Sequence, residues 1–197
     1  MRRLISLLAI CGVFSALAAC NVLPAQAQLP QLHDFGPLPV SDSGDPVSPV
    51  LVGQVTASTW LSDNTIHYRL LYSEPTTFRS YADNRWVSSP AELLDAGLRT
   101  MLPPGSIGKS GDFYLLDTQL LEFEQEFSSP RDAKVQLVLH ASIRRASTGQ
   151  VVAQRRFEME QVSTPDVQGA VTGSAQLAQK MERTVADWAN NRVSSLP

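Results

Sequence analysis

Hydrophobic residues are spread along this chain in three different ways. Residues 4–17 form an almost unbroken apolar run behind Arg2 and Arg3. Residues 21–49 hold six of the thirteen prolines, with Gln, Ser, Asp and Gly between them and no sustained period. From Val50 onward the apolar positions fall at strand or helix spacing, the mark of a folded domain.

Residues 50–58 read as a valine-rich strand, and 65–72 as a second, in which Ile66, Tyr68, Leu70 and Tyr72 alternate with His67, Arg69 and Leu71. Ser62-Asp63-Asn64 supplies the turn between them, and residues 76–82 form a third strand after Pro75. Ser89-Pro90-Ala91-Glu92 opens a helix. Serine takes the N-cap, proline the first helical position, where its missing N–H costs nothing, and glutamate closes a capping box. Leu93, Leu94, Leu98, Met101 and Leu102 recur at helical spacing until Pro103-Pro104-Gly105 stops the helix.

Residues 112–127 predict a long strand whose apolar positions are first even (Tyr114, Leu116, Leu120) and then odd (Leu121, Phe123, Phe127). That change of parity calls for a bulge or bend near Leu120. In the strand at 133–143, Val135, Leu137, Leu139 and Ile143 share one face, while Lys134, Gln136, His140 and Arg144 make the other a wet one. Ser147-Thr148-Gly149 turns the chain into a strand at 151–161, giving a hairpin. The tail, 167–193, sets Leu177, Ala178, Met181, Val185, Trp188 and Ala189 on one helical stripe. Strands, helix, strands, helix predict a single α+β domain, a mainly antiparallel sheet covered by two helices.

The run at 4–17 is shorter than the roughly 20 apolar residues that span a bilayer. A basic n-region, an apolar h-region and the small residues before Cys20 make a signal peptide. Leu17-Ala18-Ala19-Cys20 resembles a lipobox, where a lipoprotein signal peptidase cuts between Ala19 and Cys20 once the cysteine carries a diacylglycerol. The new amino terminus is then acylated too. At about 0.8 kcal/mol per buried methylene, such an anchor is effectively permanent. Asn21 stands where the inner-membrane retention signal of such lipoproteins has Asp, which implies the outer membrane, with the domain facing the periplasm. The expected organisation is therefore a signal peptide over residues 1–19, a lipidated start and tether over 20–49, and the folded domain over 50–197. A short first strand at 32–36, ended by Gly36-Pro37, is left open.

Processing removes both n-region arginines, leaving 14 basic against 19 acidic residues and a net charge of -5. No basic field favours nucleic acid. Cys11 leaves with the signal and Cys20 is consumed by lipid, so no thiol remains for a disulfide or a zinc site.

Few residues fall in a pattern that carries chemistry. Gly105-Ser106-Ile107-Gly108-Lys109-Ser110 ends like a phosphate loop, but Pro103 replaces its first glycine and a helix precedes it where one should follow. His33, His67 and His140 are too scattered to pair on a metal, and there is no G-x-S-x-G elbow. Glu122, Glu124 and Glu126 alternate along one strand, as a solvated face would have them. No catalytic, cofactor or metal residue is assigned. Two groups could serve recognition. Arg144-Arg145 and Arg155-Arg156 flank the hairpin turn, and Tyr68, Tyr72, Phe78, Tyr81 and Trp86 cluster with Arg69, Arg79 and Arg85. The aromatic cluster also fits a core; within it, Tyr68, Arg69 and Trp86 are the candidate partner contacts.

Ile66-His67-Tyr68-Arg69, Tyr81, Arg85-Trp86, Pro90-Ala91-Glu92-Leu93-Leu94, the run from Leu121 to Phe127 and Trp188 in the last helix occur here in one order. That order resembles the auxiliary lipoproteins of MCE-type ABC transport systems, the PqiC-like family. The resemblance implies a periplasmic α+β lipoprotein without a cofactor, whose partners are an MCE-domain protein, a permease and an ATPase. Their joint task would be moving phospholipid or other hydrophobic molecules and maintaining the outer membrane. A homo-oligomer stays open. The rival readings are a scaffold lipoprotein for other outer-membrane machinery and a lipid-anchored hydrolase.

Overall fold

The computed structural model describes residues 29–37, 48–104 and 113–196. Ala19, Cys20 and the loop at 105–110 lie outside them. The elements are β1 (Gln31–His33), β2 (Val50–Ala57), a 3-10 turn (Thr59–Leu61), β3 (Thr65–Leu70), β4 (Glu74–Trp86), α1 (Pro90–Met101), β5 (Tyr114–Ser129), β6 (Asp132–Arg145), β7 (Val151–Ser163) and α2 (Val167–Ser194).

One mixed sheet holds all the strands in the order β1-β4-β3-β5-β6-β7, with β2 sharing one edge of β5 with β3. Its two longest ladders, β5 with β6 and β6 with β7, are antiparallel. Parallel pairings join β1 to β4 and both β2 and β3 to β5. The parity change in β5 is a register shift between Leu120 and Glu122: Leu121 has no partner on β6, and the following side chains switch faces. Gly149 closes the β6–β7 hairpin at a φ of 72°, a conformation glycine adopts without steric cost.

Both helices cover the same face of the sheet. Leu177, Ala178, Met181, Val185 and Ala189 of α2 pack in one core with Val135, Leu137, Leu139 and Ile143 of β6, Leu116 and Leu120 of β5, and Leu94 and Leu98 of α1. Burying each such leucine or valine contributes about 1.5–3 kcal/mol. The capping box of α1 is formed: Ser89 Oγ accepts the Glu92 N–H while the Glu92 carboxylate accepts the Ser89 N–H. Asp166 caps α2 by accepting the Gly169 N–H at 2.7 Å, and that bond holds its carboxyl below the usual range. The two helices meet at Gly97, where a Cβ would run into the carboxyl of Glu182. Glu182 is 1 % exposed and neither oxygen has a hydrogen-bond partner among the described residues. Burial pushes its pKa up to about 8, against a smaller opposing pull from Arg183.

One open reading resolves and one expectation changes. Residues 30–36 are not free tether: β1 pairs with Asn84, Arg85 and Trp86, and Phe35, 4 % exposed, packs edge-on against Trp86 and Phe123. The second face of β6 is less wet than its alternation implies, because Gln136 and Val138 are buried between glutamates of β5 and β7 on either side. Gln136 Nε2 donates to Glu158 there at 3.2 Å.

Candidate functional site

On the sheet's uncovered face, strand order makes a concavity. Along the edge of β5 that they share, β2 stops pairing at Leu120 and β3 starts at Gln125, so residues 121–124 have no registered strand partner on that side. The 3-10 turn crosses this gap. Its Leu61 points into the core, while Trp60, 57 % exposed, stands over the opening. The cleft has a volume of about 320 Å³, lined by Trp60, Arg69, Leu71, Phe78, Glu122, Glu124 and Glu126.

Its floor is a stack of paired charges and rings. Arg69 donates to both carboxylate oxygens of Glu124, from Nε at 2.9 Å and Nη2 at 3.2 Å, and from Nη1 to the Pro75 carbonyl. The same guanidinium lies 5.2 Å from the centre of the Phe78 ring, which stacks at 4.2 Å on His67. Burial lowers the His67 pKa against the opposing effect of Asp63, so the imidazole prefers its neutral form. For Glu124, burial raises the pKa more than Arg69 lowers it, and Glu126 and Glu122 add to the rise. Lys134 engages Glu126 at 3.6 Å and Glu160 at 2.6 Å. Glu122 is exposed and, among the described residues, makes no ion pair. The cleft thus offers an indole, a leucine and an unengaged carboxylate, and its lining carries no hydroxyl or thiol nucleophile. That is a surface for contact with a basic or apolar group.

The predicted contact residues separate. Arg69 lies in the cleft. Tyr68 is half-buried against Tyr81, at 4.8 Å, and Phe127, at 5.9 Å; the Tyr81 hydroxyl in turn donates to Gln125 at 2.6 Å. Trp86 is 1 % exposed, held between Phe35 and Phe123, and as a core residue it presents nothing to a partner. The row Glu122, Glu124, Glu126 is not uniformly solvated, since Glu124 is buried in its pair with Arg69. Around the hairpin, Arg144 pairs with Asp117 and Arg156 with Glu158, while Arg145 and Arg155 lie over the rings of Tyr114 and Phe157. Sequence reasoning passed over Trp60. The signal was there: a tryptophan beside a turn, outside any alternating pattern that would bury it. Among the described residues, no group of three or more His, Cys, Asp or Glu could hold a metal ion.

A second concavity lies at the β1 end. It has a volume of about 450 Å³ and runs between β1 and the first half of α2, with Leu32, Phe35, Val87, Val171 and Ala175 on its walls.

A family model described as the ABC-type transport auxiliary lipoprotein component matches residues 31–190. The chain belongs to that family. The auxiliary lipoprotein fold accounts for β1 as part of the domain, since the match begins at its first residue. Two solved structures share the fold. One is protein XCC0632 from Xanthomonas campestris, matched to the DUF330 family, with 17 % identity over 83 % of this chain and 97 % of that one, at a TM-score of 0.70. The other is an uncharacterized protein with 17 % identity over 82 % of this chain and 99 % of its own, at 0.59. No curated protein matches. As a member, this auxiliary lipoprotein is an accessory component of ABC-type transport in the cell envelope.

Proposed function

We propose that this auxiliary lipoprotein is held by acylated Cys20 in the outer membrane, on its periplasmic side. There it serves as a non-catalytic docking component of an MCE-type ABC system that moves phospholipid or other hydrophobic molecules and supports outer-membrane integrity. The observation that carries the reading is one chain joining a lipobox with Asn21 after its cysteine to a domain of the auxiliary family. The Trp60 cleft supports it, since it offers an exposed indole and an unengaged carboxylate for contact.

Two experiments test this. Cys20→Ser is expected to move the protein from the membrane to the soluble or uncleaved fraction while the domain still folds; a variant that remains acylated and membrane-bound would refute the anchor. Purification of the lipidated protein under mild detergent is expected to bring down the MCE-domain protein, and Trp60→Ala to reduce that recovery. Recovery of other outer-membrane machinery with no transporter component would favour the scaffold reading.

A further inference from the structure

The chain outside the described residues ends at a definite place on the domain. Only eight residues, 21–28, separate Cys20 from Leu29. At about 3.3–3.6 Å per residue, the nine steps from Cys20 to Leu29 reach roughly 30 Å when fully extended, and less as a coil. A tether counted to Pro49 would reach about three times as far. The β1 end of the domain is therefore the end that an anchor at Cys20 keeps beside the bilayer.

That end carries an apolar patch. Leu29 is 93 % exposed, Leu32 57 % and Val87 51 %. Leu32 and Val87 line the same groove, and the Val87 N–H donates to the His33 carbonyl at 2.8 Å, which fixes the two chain segments side by side. Asp34, Thr172, Gln176 and Gln179 rim the groove. Exposed apolar residues that stand apart need no explanation, whereas a group of them ringed by polar side chains marks a binding surface. By contrast, Val162 is 83 % exposed on the opposite edge strand, far along the sheet from the tether.

We propose that Leu29, Leu32 and Val87 form a bilayer-contacting surface, seated in the interfacial region of the membrane that holds Cys20. This deepens the reading above and rests on acylation of Cys20. An apolar patch beside a lipid anchor supplies a second attachment, which adds to the first and fixes which end of the domain faces the lipid. The opposite edge and the Trp60 cleft are then left for partners.

The mature chain has no cysteine besides the acylated Cys20, so single labelling sites are readily introduced. Leu32→Cys, Val87→Cys and Val162→Cys would each carry a nitroxide in the acylated protein, reconstituted in vesicles of phosphatidylethanolamine and phosphatidylglycerol. Collision with oxygen, which partitions into lipid, is compared with collision with a water-soluble nickel chelate. Labels at 32 and 87 are expected to gain several-fold in the oxygen-to-nickel ratio over the same labels in soluble Cys20→Ser protein, with no change at 162. Water-like ratios at both sites in protein that co-floats with vesicles would overturn this proposal alone. Protection from both quenchers would also overturn it, by showing a protein in the groove. Failure to co-float, with no acyl mass on Cys20, would overturn the anchor and this inference together.

Discussion

The two faces of the sheet each bury a glutamate, and they do it differently. On the helix-covered face, Glu182 sits against Gly97 with no partner among the described residues, and burial lifts its pKa to about 8, so near neutral pH it is mostly a protonated acid. On the open face, Glu124 is buried within a two-point pair with Arg69. A tightly packed helix crossing leaves no room for a counter-ion, so the proton supplies neutrality. A sheet face with long side chains on neighbouring strands supplies a guanidinium instead. Both faces therefore tie stability to pH through a carboxyl whose pKa burial raises, and the open face ties it to one arginine as well.

The largest effect expected from breaking this contrast is at Arg69. Arg69→Ala strands Glu124 in a buried site and should cost about 2–4 kcal/mol in chemical denaturation, since losing one partner of a buried pair leaves an uncompensated charge. Removing both groups, as in Arg69→Met with Glu124→Leu, should restore most of that loss. A single variant as stable as the parent would mean that Glu124 is adequately solvated without its partner.

Glu182 tests the other half. Its folded-state pKa lies above the unfolded value near 4.5, so the folded chain holds the proton more tightly. Its contribution is full below about pH 4 and declines as pH rises toward about 8, at up to about 1.4 kcal/mol per pH unit. Glu182→Gln, which keeps the shape and removes the titration, should flatten the fall in stability between about pH 5 and about pH 8. An unchanged slope in that variant would place the titration elsewhere.

The smallest expected effect is at Trp60. Trp60→Ala removes an exposed side chain from a short turn whose other apolar residue, Leu61, holds the core, so stability should stay within about 0.5 kcal/mol. A loss of several kcal/mol would make Trp60 a structural prop for the cleft.

Local patterning made much of the architecture legible. The capping box at Ser89, the parity change at Leu120, the hairpin at Gly149 and the stripe on α2 were each readable because period and cap chemistry act over a few residues. What escaped was long-range. β1 pairs with residues some fifty positions away, and the cleft exists because two strands divide one edge of β5, which no window of sequence displays. Trp86 looked like a contact residue because tryptophan beside arginine suits an interface as well as a core, and only the packing of Phe35 and Phe123 decides between them. Glu182 was within reach: it falls between Ala178 and Val185 on the apolar stripe, where a charged residue is out of place.

The early start of the sheet bears on how such a protein can meet anything. By taking residues 31–33 into β1 and sinking Phe35, the fold consumes slack that would otherwise let the domain roam. On the anchor proposed at Cys20, the domain would be confined to a shallow zone about 30 Å from the bilayer at full extension. A partner would then have to reach down to the domain, since the domain could not reach out to it.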